Sequence, residues 1–240
     1  MQALFLKELR QFFSSLTGYL SIGLFLLLMG LFLFVFPDTS IFDFGYATLD
    51  KYFELAPWVL LLLVPAVTMR SLSDEFKSGT WELLKTRPVS LWQIVWAKYA
   101  ASLTVVLLAL LPTLLYVVTI SMLSINGSID TGGIAGSYIG LILLAGAFTA
   151  IGIASSALTA NPIVSFLLAA FMSFVLYSAF AAVAGIPALQ GGADYWVALL
   201  GMDEHYKNVS RGVIALNDVL YFSVIIGLFL YGTRSLLARR

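Results

Sequence analysis

His205, the chain's single histidine, stands next to Asp203 and Glu204. Three potential ligands in a row hold a metal only if they project to one point, and the HExxH spacing that would do this is absent. No metal site is expected. Without any cysteine, the chain offers no thiol nucleophile, thiolate ligand or disulfide. No glycine is followed by lysine, so the GxxxxGK(S/T) loop that cradles nucleotide phosphates is missing as well. The residues best suited to work lie in segment 70–98, RSLSDEFKSGTWELLKTRPVSLWQIVWAK. Glu75 precedes a Gly79-Thr80 break, Thr80 is placed to cap a short helix through Glu82, Leu83 and Leu84, and Pro88 ends it. Ser90 then offers a cap for a second short helix, with Trp92 and Trp96 suited to a membrane interface. A short helix with both signs of charge and a Trp-Leu-Leu edge fits a groove on another protein; by composition alone an ordinary solvated loop fits as well.

The elements that must position this segment follow from composition. Of 240 residues, 60% are hydrophobic and 11% charged, with mean hydropathy +0.97, against about 25% charged in a soluble domain. Thirteen basic and thirteen acidic residues give zero formal charge, leaving no basic field for nucleic acid. The sequence therefore predicts a single all-α membrane domain over residues 1–240. Residues 11–37, 55–69, 99–129, 131–193 and 219–233 contain no Asp, Glu, Lys or Arg. A crossing needs about 20 residues, so the longest stretch must turn, and Asn161-Pro162 is a turn that also starts a helix. Six spans follow, at 17–36, 53–70, 98–122, 134–158, 163–185 and 215–234. Within these bounds Glu54, Lys98, Asp218 and Arg234 touch a span only at its end, which argues against a proton-driven carrier.

Six spans put both termini on one face. That face collects ten Lys and Arg, and the other holds Lys51, Lys207 and Arg211. The positive-inside rule then places both termini in the cytoplasm and the chain in the cytoplasmic (inner) membrane. Residues 1–16 place Phe5, Leu9, Phe12 and Leu16 along one face, as in an amphipathic helix lying in the interface. Pro57, Pro65 and Pro112 are expected to kink spans two and three. Gly136 and Gly140 in GxxxG spacing, then Gly146, Gly152, Ser155 and Ser156, suit close helix packing, either within the chain or against a partner subunit or translocation path. Asn126-Gly127-Ser128 and Asn208-Val209-Ser210 match the glycosylation tripeptide, a short pattern that recurs by chance.

Taken in order, these features resemble the ABC type-2 exporter permeases. The resemblance is carried by Glu75, Gly79, Thr80, Glu82, Leu83, Leu84, Pro88, Val89, Ser90 and Lys98, by the block GLILLAGAFTAIGIASSALTAN, and by EHYKNVSRGVIALNDVLYF. Within that family the chain is most similar to the gliding-motility-associated permease subunits. The resemblance implies an ATP-driven exporter in which this chain binds no cofactor and ATP and Mg sit on a separate cytoplasmic ABC ATPase. It also implies a second permease copy or related permease, and a membrane-anchored protein with an extracytoplasmic domain that this chain does not supply. Segment 75–90 would be the coupling helix, and the connection between spans five and six, with Trp196, Leu199 and Leu200, an external gate in contact with membrane lipid. Two readings from other classes stay open on the residues alone. One is a stand-alone secondary carrier or channel; the other is a scaffold that transmits ATPase strokes without transport.

Overall fold

A computed structural model describes residues 2–37, 39–41, 48–124, 129–187 and 191–240. The Asn126 tripeptide lies outside them. The described residues form an all-helical bundle without strands: α1 (Gln2–Phe13), α2 (Leu16–Phe34), α3 (Asp50–Thr68), α4 (Ser73–Lys77), α5 (Thr80–Lys85), α6 (Leu91–Leu110), α7 (Leu114–Leu123), α8 (Thr131–Leu158), α9 (Pro162–Phe174), α10 (Phe180–Ala184), α11 (Ala193–Ala198), α12 (Met202–Ser210) and α13 (Leu216–Ala238).

Five helical segments are long and apolar enough to cross a membrane: Asp50–Lys77, Leu91–Leu123, Thr131–Leu158, Pro162–Ala184 and Leu216–Ala238. The expected sixth span, 17–36, corresponds to α2, which passes the same test only together with α1, and the two meet at 68°. Phe25, Met29 and Leu33 bury one face of α2 as it packs on α3.

The middle of the bundle is α8. Its apolar window is 83% buried, against 17% for α13 and 22% for the α9–α10 segment, and α3, α6, α9, α12 and α13 all pack on it. Its Gly, Ala and Ser residues explain this position, because small side chains let helix axes approach closely on every side. The outer helices keep wide apolar faces exposed, including Leu167 and Phe171 on α9 and Val224, Leu228 and Tyr231 on α13, as lipid-facing surfaces do.

Helix breaks follow local chemistry. Asn161 caps α9 by accepting from Ile163 N–H at 2.9 Å, with Pro162 in its first turn. A 3₁₀ turn at Leu111–Thr113 contains Pro112 and divides span three. Tyr138 donates to the Thr113 carbonyl at 3.0 Å, and Tyr52 donates to the Thr113 hydroxyl at 2.9 Å, so the polar groups at that break are satisfied inside the bundle. Pro57 and Pro65 lie within the continuous helix α3. A π-helical turn at Val175–Ala179 separates α9 from α10.

One boundary expectation is overturned. The separate helix after Ser90 and the span from 98 are one element, because α6 begins at Leu91. Ser90 and Gln93 close a reciprocal capping box, and no Gly, Pro or second cap follows before Lys98. Lys98 therefore lies about 10 Å along the helix and not at its end.

Candidate functional site

Segment 70–98 folds as a hairpin of two short helices, α4 and α5, beneath α8. Where α3 stops, Ser156 of α8 takes over: its hydroxyl accepts from the N–H groups of Leu72 at 2.9 Å and Ser73 at 3.0 Å, and donates to the Met69 carbonyl at 3.2 Å. A buried serine thus satisfies backbone groups that the broken helix would leave unpaired. The expected Thr80 cap is corrected. Gly79 occupies the N-cap of α5 with φ of 70°, a left-handed conformation that glycine adopts without steric cost. Thr80 instead shares a 2.9 Å hydrogen bond with Ser78.

Glu75 faces inward. Its Oε1 lies 3.0 Å from Lys98 Nζ and 3.2 Å from Lys7 Nζ, and Glu8 Oε1 lies 3.0 Å from Lys98 and 3.2 Å from Lys7. Two cations and two carboxylates from α1, α4 and α6 thus form a neutral cluster. The Lys98 side chain is wholly buried and donates also to the Ser71 carbonyl. Burial lowers the pKa of Lys7, but Glu8 and Glu75 together outweigh that and raise it above the ordinary lysine value of 10.5. Because a raised lysine pKa stabilises below the unfolded value and loses its effect only as pH rises through the folded value, Lys7 keeps its charge across the physiological range. Sequence reasoning placed Lys98 at a span end and tied it to nothing in residues 1–16; the packing of α1 on α6 brings Lys7, Glu8 and Lys98 together.

The rest of the hairpin turns outward. Trp81 is buried and meets Phe76 edge-on at 5.6 Å, anchoring α5. Leu83 is 67% exposed, Leu84 is half-buried, and Glu82, Lys85, Arg87 and Pro88 are exposed. Between α1 and α5 runs a groove of about 460 Å³ bordered by Leu4, Lys7, Glu75, Leu83, Leu84 and Arg87. Arg240 packs on the hairpin, its guanidinium 4.1 Å from the Phe76 ring centre and 3.1 Å from the Leu158 carbonyl.

The small residues of α8 sit at its close approaches. A Cβ on Gly136 would lie 2.7 Å from the Val209 carbonyl oxygen, and one on Gly152 would lie 2.1 Å from Thr68 Oγ1. Gly140 faces the Tyr206 ring, and Gly146 faces Tyr99 and Ile226. Ser155 returns its hydroxyl to the Ile151 carbonyl at 2.9 Å, keeping its polar atom satisfied inside the helix.

At the opposite end, Trp196 and Leu200 are largely exposed while Leu199 is half-buried. Their segment is held through backbone carbonyls: Tyr221 donates to Leu200 at 2.6 Å, and His205 Nε2 lies 3.0 Å from the Leu199 oxygen. The other ring nitrogen, Nδ1, lies 2.6 Å from Asp218 Oδ1, and the imidazole stacks on Tyr221 at 3.9 Å. Each ring nitrogen faces one oxygen, on Asp218 or on Leu199. His205 is thus a buried bridge between α12 and α13, and among the described residues no three His, Asp or Glu side chains gather as metal ligands.

Comparison with known proteins agrees with this architecture. Individually curated proteins yield no match. A family model described as ABC-2 family transporter protein matches residues 43–200, from the approach to α3 through the α11 segment. That stretch includes the hairpin, the whole of α8 and the helix-breaking turns described above. The chain belongs to the ABC-2 transporter family, whose members are transmembrane components of ABC exporters.

Proposed function

We propose that this chain is the permease subunit of an ATP-driven exporter and that a separate cytoplasmic ATPase docks on α5 and the neighbouring groove. The observation that carries the reading is the division of labour within the hairpin: Glu75 and Trp81 are tied inward, while Leu83, Glu82, Lys85 and Arg87 are presented outward. A partner moving such a helix would move α1, α4 and α6 together, because the ion cluster joins them. A stroke can change the span packing only if the ATPase binds the two packings with different affinity.

In this reading α2 is the sixth span and α1 lies in the interface. Both termini and the hairpin are cytoplasmic, as the ten-to-three distribution of Lys and Arg favours. The ATP and Mg sit on the partner, and a second permease completes the pathway. The exposed Trp196 and Leu200 lie in the outer leaflet as part of a gate, near a membrane-anchored extracytoplasmic partner. The gliding-motility resemblance extends the proposal to export of surface material for motility; a deletion strain that glides normally overturns that extension alone.

The test is purification of the tagged chain from its native membrane in mild detergent, with mass spectrometry and an ATPase assay on what co-purifies. A nucleotide-binding subunit should be recovered and should be lost from Leu83→Asp, whose backbone position is exposed. Retention of the ATPase and its full activity in Leu83→Asp overturns docking on α5. Recovery of a folded chain without any ATPase overturns the subunit reading in favour of a carrier or channel.

A further inference from the structure

A cavity of about 520 Å³ opens at the end of the bundle away from the hairpin, between the first turns of α3, the start of α8, the π-helical turn and α12. Its walls are aromatic. Phe53, Trp58, Tyr177 and Tyr206 line it, with Trp58 edge-on to Tyr177 at 5.5 Å and the Tyr206 hydroxyl tied to the Phe53 carbonyl at 2.7 Å. The rim carries both signs of charge, with Asp50 and Glu54 supplied by α3, and Asp203, Lys207 and Arg211 by α12 and the residue that follows it.

Part of this charge is already paired. Lys51 neutralises Glu54 at 2.8 Å and Lys207 neutralises Asp203 at 2.6 Å. Asp50 and Arg211 are exposed, and neither the carboxylate nor the guanidinium has a hydrogen-bond or ion-pair partner among the described residues. One cavity therefore offers a free carboxylate at the start of α3 and a free guanidinium just after α12, with aromatic rings among its walls. It also has an apolar exit: Trp58 is 45% exposed and Phe174, whose ring centre lies 6.3 Å from it, is 46% exposed, on the outer face of the bundle.

From this arrangement we infer a binding site for the head group of a zwitterionic phospholipid. Its ammonium is recognised by Asp50 and the aromatic faces, which attract cations through their quadrupoles. Its phosphodiester is recognised by Arg211, whose planar donors match phosphate oxygens in pairs, supported by Lys207. The acyl chains leave past Trp58 and Phe174 along the lipid-facing surface. An anionic lipid would meet the unpaired Asp50 without an ammonium to satisfy it. A sugar head group would leave both free charges unmatched. The inference rests on the helices spanning a membrane and not on the ATPase, so failure to recover an ATPase leaves it standing.

Native mass spectrometry of the purified full-length chain, titrated with phosphatidylethanolamine, phosphatidylglycerol and a diglucosyl diacylglycerol of matched acyl chains, tests it. Phosphatidylethanolamine should be retained about tenfold more strongly than either competitor, a difference of about 1.4 kcal/mol. Asp50→Asn and Arg211→Gln should each remove most of that preference while leaving the elution profile of the protein unchanged, since both side chains are exposed. Equal retention of phosphatidylethanolamine and phosphatidylglycerol overturns the proposal, as does a preference that survives both substitutions. Stronger retention of the diglucosyl lipid also overturns it and assigns the cavity to a polyhydroxylated ligand.

Discussion

The two ends of the bundle both bury charged side chains, but they connect different parts of the chain. At the hairpin end, Lys98 reaches Glu8 and Glu75, 90 and 23 residues away, and Lys7 reaches Glu75 across 68 residues. At the other end, His205 joins Asp218 only 13 residues away and the Leu199 carbonyl only 6 away. The first arrangement ties three elements that sequence alone does not hold together. The second clamps one corner onto the helix that follows it. Buried ion pairs add little net stability against an apolar alternative, yet removing one partner is costly. The hairpin-end cluster therefore governs whether α1, α4 and α6 move as one body more than how stable the bundle is.

The sharpest way to break this comparison is Lys98→Met. It leaves the half-exposed Lys7 as the one cation shared by Glu8 and Glu75, with Glu75 Oε2 already buried and without a hydrogen-bond partner among the described residues. The expected loss is about 3–5 kcal/mol, read from thermal unfolding in detergent. Combining it with Glu8→Gln and Glu75→Gln should restore most of the loss, because the one charge then left in the cluster, on Lys7, is half exposed to water. A single Lys98→Met as stable as the parent shows that water reaches the cluster and that it ties nothing.

His205→Ala is the counterpart at the other end. It removes the ring that both a buried Asp218 and the Leu199 carbonyl face, with an expected cost of about 1.5–3 kcal/mol. Its effect should stay local: hydrogen exchange should rise in α11, α12 and the first turns of α13, with α1 and α4 unchanged. Faster exchange at α1 breaks the distinction between a local clamp and a long-range strut.

The glycines of α8 give a smaller effect at both ends. Gly136→Ala pushes a methyl group against backbone of the segment after α12, and Gly152→Ala pushes one into Thr68. Each should cost about 1–3 kcal/mol through overpacking. Gly227 on α13 has nothing within 4 Å of an added Cβ, so Gly227→Ala should be neutral or stabilise by about 0.5–1 kcal/mol. A loss at Gly227 equal to that at Gly152 means that a surface outside this chain packs on α13.

These contrasts also mark how far the sequence can be read. Charge-free length located the five spanning segments from α3 to α13 because apolar length is what a bilayer demands, and Asn161-Pro162 and Ser90 were legible because capping is local chemistry. The same use of charge as a boundary misread Lys98. A charged residue ends a span only when it meets water, and Lys98 meets Glu8 and Glu75 instead. Nothing local in 1–16 reveals that partnership, since it depends on α1 folding back across α6. Glu75 likewise looked like a contact in a polar loop, and of the Trp-Leu-Leu edge expected to face a partner Leu83 is exposed while Trp81 is buried. The aromatic and charged cavity near α12 was hidden for the same reason: Asp50, Tyr177 and Arg211 lie on three elements and meet only once α8 has gathered them.

The smallest effect is expected from Ser90→Ala, which separates helix initiation from the ion cluster at the same end of the molecule. Ser90 Oγ accepts from Gln93 N–H at 3.3 Å, and Gln93 Oε1 accepts from Ser90 N–H at 3.0 Å. Losing this cap should cost about 1 kcal/mol and fray the first turn of α6, where Leu91 and Trp92 are half-buried. Lys98 lies two turns further on and should keep both carboxylates, so hydrogen exchange at α1 and α4 should match the parent. A Ser90→Ala chain that loosens α1 as much as Lys98→Met does would place the start of α6, and not the buried charges, in control of the hairpin's attachment.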